Sequence, residues 1–382
     1  MKYIDEYRDP AAADRLLQAI RSAARQRWVV MEVCGGQTHG LLRYGIDREL
    51  QDQVELIHGP GCPVCVTDLA AIDASLRLAA LPGVVLASFG DMLRVPGSCG
   101  SLMTARAAGA SVITVYSPLD AVRYAQQHPA EQVIFFAVGF ETTAPATALA
   151  VLQADRLQLR NFSVLAAHVR VQPAMEAVLQ APDNRIQAFL AAGHVCAITG
   201  YESLEQLSLR YQTPVAVTGF EPIDLLQGIL ECVRQLESGC AQVTNCYGRT
   251  VRRDGNLAAL SIVNSVYETT DRVWRGFGTV PAGGFRLRSE FREFDAAIRF
   301  APGLAATDGV GDEARSAAEP DRRCRAGDVL TGRLHPTECP EFRTTCTPET
   351  PLGAPMVSSE CACAACFRYR PAVSLSHNSD VP

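Results

Sequence analysis

Val133-Ile134-Phe135-Phe136-Ala137-Val138-Gly139 contains no polar side chain and shows no alternation. A strand with one wet face alternates with period two. A run that is apolar throughout suits a parallel strand covered by helices on both faces. Working outward, similar runs recur at 28–33, 54–58, 84–89, 111–116, 162–168, 194–199 and 214–219, which makes eight strand candidates. Helical patterns lie between them: 68–80 with Thr67 as a cap, 119–127 after Pro118, and 222–236, which opens on a proline suited to a first turn. This is the rhythm of βαβ units. Such units can close as one barrel or divide into two open sheets. The echo of Gly139-Phe140-Glu141 in Gly219-Phe220-Glu221, each between a strand and a helix, favours two open parallel sheets.

The chain has 382 residues, 48% of them hydrophobic and 20% charged, a globular composition large enough for two or three domains. Its apolar runs fall well short of the roughly 20 residues of a membrane-spanning helix, so no membrane span is expected. Residues 1–10 are polar and show no secretory pattern, so the cytoplasm is the expected compartment. A net charge of -6 offers no basic footprint, which argues against nucleic acid as a partner. Fourteen cysteines are the outlying feature. In a reducing compartment they point to metal binding, redox thiols or core packing before a static disulfide frame.

Parallel sheets place ligand sites beyond the carboxyl ends of their strands. The segments there are polar: Cys34-Gly35-Gly36-Gln37-Thr38-His39, Gly59-Pro60-Gly61-Cys62-Pro63-Val64-Cys65, Gly90-Asp91, Glu141-Thr142-Thr143, His168 and Glu221. Cys34 and His39 together suit a soft or borderline metal. Cys62 and Cys65 form a C-x-x-C at an expected helix start, where the dipole lowers a thiol pKa. That pair can cycle between dithiol and disulfide or hold a metal. Glu141 and Glu221 are candidate bases or helix-start charges, and His168 reads as a structural histidine. Cys99, Cys196, Cys232, Cys240 and Cys246 read as packing residues. The segment 304–325 reads as a connection. Beyond it, Cys324, Cys339, Cys346 and Cys363 stand at C-x14-C-x6-C-x16-C in a stretch poor in core residues, with Cys361 and Cys366 as competitors. Four thiolates suit zinc or a [4Fe-4S] cluster, either of which would staple such a segment.

Several motifs in order carry a resemblance: Cys34 to His39, Gly59 to Cys65, Ser88-Phe-Gly-Asp-Met92, Arg94-Val-Pro-Gly97, Gly139-Phe-Glu-Thr-Thr143, Cys346-Thr-Pro-Glu349 and Met356-Val-Ser-Ser-Glu360. Together they resemble the HypD family of hydrogenase maturation factors over nearly the whole chain. The resemblance implies two α/β domains facing a cleft and a C-terminal cysteine-rich iron–sulfur domain. The divisions are then 11–138, 139–270, and 271–382 together with 1–10. It implies a cytoplasmic scaffold on which iron with cyanide and carbon monoxide ligands is built for [NiFe] hydrogenases, with a HypC-type small chaperone and a HypE-type cyanide donor as partners. By position, Cys34 would bind the iron jointly with a HypC cysteine, and His39 would tune that site. Cys62 and Cys65 would be the cleft thiol pair, and Glu360 would lie near the cleft. Cys324, Cys339, Cys346 and Cys363 would hold a [4Fe-4S] cluster. Two departures stand out. Positions where many members carry a second tail thiol pair hold Ala326 and Pro355, and Glu360-Cys361-Ala362-Cys363 replaces Glu-Gly-Ala-Cys, which makes Cys361 a rival cluster ligand. The rival functional readings are an iron–sulfur thiol-disulfide oxidoreductase and a zinc-stapled binding module.

Overall fold

The computed structural model describes residues 4–305 and 323–370. Three sheets organise it. In the first, β1 (Trp28–Glu32), β2 (Val54–His58), β7 (Ala188–Ala192), β8 (Val215–Thr218) and β9 (Val243–Asn245) run parallel in the order β2-β1-β7-β8-β9. In the second, β3 (Val84–Ser88), β4 (Val112–Thr114), β5 (Gln132–Gly139) and β6 (Phe162–His168) run parallel in the order β4-β3-β5-β6. The third is an antiparallel hairpin of β10 (Tyr267–Trp274) and β11 (Gly278–Leu287).

The uninterrupted apolar runs are explained by burial on two faces. In β1, Val30 packs under the helices Pro10–Ala23 and Pro222–Ser238, with Ile20, Leu225 and Ile229, while Met31 faces Phe189, Met175 and Val178 on the other side. In β5, Phe135 and Phe136 likewise belong to different clusters, one under the helices Pro118–Gln127 and Ala144–Arg156 and one under Leu69–Ala79. Full burial of one such side chain is worth roughly 1.5–3 kcal/mol.

Three expectations are corrected. The division at 138/139 falls at the end of β5, and β1 pairs with β7 at Val30↔Ala188, so residues 28–58 share a sheet with 188–245. The four-stranded sheet is built from the segment between them. Periodicity registers that a strand is buried, not which strand lies beside it, because the inner strands β3, β5 and β7 are alike in being apolar on both faces. The stretch 194–199 is helical, within Gly193–Thr199, and the strand is the preceding Ala188–Ala192. The two adjoin in a stretch that is apolar but for Gly193 and His194, and those two residues mark the junction. Asp68, rather than Thr67, caps Leu69–Ala79, its side chain accepting from the Ala70 N–H. The connection expected over 304–325 falls largely on 306–322, outside the described residues.

The tail is core-poor, as expected. It contains the short helix Ala326–Leu330, turns at Pro336–Glu338 and Ala354–Met356, and the helix Ala362–Tyr369. That last helix docks through Ala365 and Cys366 onto Leu42 of the helix Gly35–Arg43. Among the described residues no helix is long and apolar enough to cross a membrane.

Candidate metal and thiol site

Cys34 is the residue that caps Gly35–Arg43 just past the end of β1, in an extended conformation. Its position is set by Glu32, which is fully buried and accepts the Cys34 N–H at 2.8 Å. The other Glu32 oxygen accepts the Thr38 hydroxyl and stands 2.9 Å from His58 Nδ1. The first strand-end loop is thus held by a carboxylate on β1 and a histidine on β2.

The second loop lies against the first. The Gly35 N–H donates to Gly61 O at 2.9 Å. A Cβ on Gly61 would meet the Cys34 nitrogen at 2.1 Å, and one on Gly35 would meet Glu360 O at 2.6 Å. Only glycine permits the two loops and the tail to close this tightly. The tail therefore sits directly over the first loop, and Glu360 is brought to Cys34 from 326 positions away.

A cavity of about 680 Å³ opens here, lined by Cys34, Asp91, Tyr116, Thr142, His194 and Glu360 among others. These residues follow β1, β3, β4, β5 and β7 or belong to the tail, so carboxyl ends of both parallel sheets converge on it. The Cys34 Sγ lies 3.6 Å from His194 Nδ1. Burial pushes the Cys34 thiol up, with Glu32 and Glu360 adding to the rise, and burial pushes His194 down. A neutral thiol therefore faces a neutral imidazole, a soft and a borderline donor placed side by side.

Cys62 and Cys65 lie just below this cavity, whose wall includes Gly61, Pro63 and Val64. The helix they open is only Pro63–Val66. Burial pushes Cys62 up to about 12, the reverse of the lowering expected from a helix start. Desolvation outweighs the backbone N–H groups of Val64 and Cys65, which pull the other way. Cys65 forms a disulfide with Cys361, and the Cys62 sulfur belongs to the same group, the three lying within 4.8 Å of one another.

Cys324, Cys339, Cys346 and Cys363 line one small apolar cavity with Val329, Phe342, Leu352 and Met356. Cys363 is driven well up, first by burial and then by the neighbouring Cys324, Cys366, Cys346 and Cys339. Four thiolates cannot share an apolar pocket uncompensated, so the donor set fits a multivalent cation or cluster bound through sulfur. Ala326 and Pro355 line the same cavity.

The remaining candidates separate. His39 is not among the residues lining the larger cavity. It is half-buried, packs edge-on to Tyr369 at 5.1 Å between ring centroids, and has Nε2 3.1 Å from the Tyr369 hydroxyl. Glu141 is buried in a separate cavity beside Arg170 and Cys196, accepts the Val171 N–H, and is pushed up to about 7 by burial. Glu221 pairs with Arg8, at 2.8 Å through Nη2. His168 is buried, lowered to about 3 by burial, with Nε2 3.4 Å from Thr147 Oγ1. Cys196 and Cys232 are buried, Cys246 is half-buried, and Cys99 and Cys240 are exposed, so the last two are not packing residues. Glu32 and His194 were not singled out from the sequence. A glutamate inside an apolar strand was the available signal for the first, and the second was hidden in a run read as strand.

The profile of the HypD family, described as "Hydrogenase formation hypA family", matches residues 11–370. The chain belongs to the HypD family. It is 44% identical over 377 residues to the hydrogenase maturation factor HypD of Rhodobacter capsulatus, covering 97% of this chain and 98% of that protein. It is 42% identical over 378 residues to the HypD of Escherichia coli K12, covering 97% and 98% respectively. As a HypD-family hydrogenase maturation factor, the chain has protein partners within that pathway. The family motifs quoted from the sequence, Cys34 to His39 and Gly59 to Cys65, are the two loops that interlock beside the larger cavity.

Proposed function

We propose that this chain is a cytoplasmic scaffold for assembling the Fe(CN)2CO group of [NiFe] hydrogenases. Cys34 anchors the iron together with a cysteine of a HypC-type chaperone, and a HypE-type protein supplies cyanide. The supporting observation is the Cys34 thiol opposite His194 in a cavity where strand ends from both sheets and Glu360 converge. Ferrous iron is the cargo. On its arrival Cys34 gives up its proton to solvent, leaving a thiolate that grips the ion, with His194 Nδ1 as a neighbouring neutral donor. Cyanide and carbon monoxide are strong-field ligands that favour the low-spin ferrous state. Asp91 and Glu360 add negative charge at the mouth, and His39 steadies the tail helix through Tyr369. Cys62 and Cys65 serve as a redox pair beneath the cargo. Cys324, Cys339, Cys346 and Cys363 would hold a [4Fe-4S] cluster, which supplies a store of electrons.

The test is infrared spectroscopy of the chain purified anaerobically with its HypC-type partner. Cyanide and carbonyl stretches are expected, and Cys34→Ala is expected to remove them and abolish hydrogenase maturation while the protein stays folded. Bands of unchanged intensity in that variant would overturn the assignment. The Cys65–Cys361 disulfide favours a second reading, an iron–sulfur thiol-disulfide oxidoreductase. That reading expects turnover of a protein disulfide with a small donor and no chaperone.

A further inference from the structure

The sulfur of Cys361 lies with Cys62 and Cys65 and not with the tail cysteines. Its Sγ is bonded to Cys65 across a sequence separation of 296, while Cys363, two positions on, lines the four-cysteine cavity. Cys62 is the third sulfur of the group, within 4.8 Å of the others, and all three residues are buried. Cys361 directly follows Glu360, which lines the cavity beside Cys34 and whose backbone rests on Gly35. A covalent bond at Cys361 therefore ties down the wall of that cavity.

From this arrangement we propose that Cys62, Cys65 and Cys361 form a three-sulfur exchange centre that locks or frees the Glu360 wall. The inference rests on the proposed redox use of Cys62 and Cys65 and adds a third partner to it. In the locked form the Cys65–Cys361 bond holds the tail on the second loop. Cys62 attacks the Cys65 sulfur, so the Cys62–Cys65 bond forms as the Cys65–Cys361 bond breaks. Cys361 departs with the electron pair and receives the proton that Cys62 gives up. One disulfide and one thiol are present before and after, so the exchange consumes neither oxidant nor reductant. A cellular dithiol that reduces either disulfide leaves three thiols, gaining its own disulfide as it delivers two electrons and two protons, and exchange with a small-molecule disulfide restores the locked bond, releasing two thiols. Transient disulfides of this kind are the sort found in reducing compartments.

The experiment equilibrates the full-length protein anaerobically with dithiothreitol poised from reduced to oxidised. Free thiols are trapped with iodoacetamide after acid quenching, and linked peptides are mapped by mass spectrometry. In the wild type, both the Cys65–Cys361 and Cys62–Cys65 links are expected. Cys361→Ser is expected to lose the first and retain the second. Cys62→Ser is expected to lose the second and accumulate the first. Complete alkylation of Cys361 in the wild type at every poise that oxidises Cys62 or Cys65 would overturn the proposal, and this arm needs no variant to fold. A loss of bound iron in Cys361→Ser equal to that in Cys363→Ser would overturn it too, by making Cys361 a cluster ligand. These readouts report sulfur connectivity and metal content, so the centre can fail while cyanide and carbonyl bands still support the scaffold, or the reverse.

Discussion

The two sulfur groups of this molecule sit in very different protein. Cys34, Cys62 and Cys65 stand just past β1 and β2, where the sheet beneath them is packed on both faces by separate apolar clusters. Cys324, Cys339, Cys346 and Cys363 sit among short turns, and the cluster around them has only Cys346, Met356 and Ala364 as its buried members. A sulfur at the rim of a sheet can be changed without unfolding the sheet, because it is one small member of a large buried cluster. A sulfur at the centre of a core-poor segment has no such support, and a bound metal becomes part of its folding energy. The same residue type is therefore free for chemistry in one place and committed to structure in the other.

The sharpest way to break this contrast is to remove a tail sulfur. Cys346→Ala is expected to abolish metal retention and to make 323–370 the first segment cut in limited proteolysis, with both parallel sheets still protected. Unchanged metal content with an intact tail would erase the distinction. Chelation of the wild type should give the same proteolytic pattern.

Next in size is the support beneath the rim. Glu32→Ala leaves His58, Thr38 and the Cys34 N–H without their shared buried acceptor. A loss of about 3 kcal/mol is expected in urea denaturation. A loss within the range of an exposed substitution would mean that the loop is held by something other than Glu32.

The carboxyl at the end of β5 gives a comparison within the second sheet. Burial raises Glu141 from its ordinary 4.5 to about 7, so its contribution to stability is complete below 4.5 and is lost as pH rises through about 7. Over that window the loss is on the order of 3 kcal/mol, and Glu141→Gln should remove that part of the pH dependence. A variant whose denaturation midpoint follows pH as the wild type does would show that Glu141 is not the group responsible.

The smallest structural effect is expected where the functional effect is greatest. Cys34→Ala removes one buried sulfur from a rim position and should cost only about 1 kcal/mol by thermal unfolding. A loss comparable to Glu32→Ala would place Cys34 among the supports of the fold.

The fold class was legible because continuous apolar runs have one common cause, burial on two faces, and the loops at strand ends were legible because parallel sheets gather ligands there. That the tail gathers sulfur was legible from six cysteines in a segment without core periodicity, whereas density alone did not show which four line one cavity. The tripeptide echo was not informative about chemistry: Glu141 is buried against Val171, whereas Glu221 pairs with Arg8 near the surface. By itself the sequence determined which segments are buried and which residues can carry metal or thiol chemistry, since both follow from local composition. Only the tertiary structure decided that β1 lies beside β7, that His194 faces Cys34, and that Cys361 belongs with Cys65. Those are contacts between distant parts of the chain, and they are fixed by how whole sheets and helices pack rather than by any residue's neighbours in sequence.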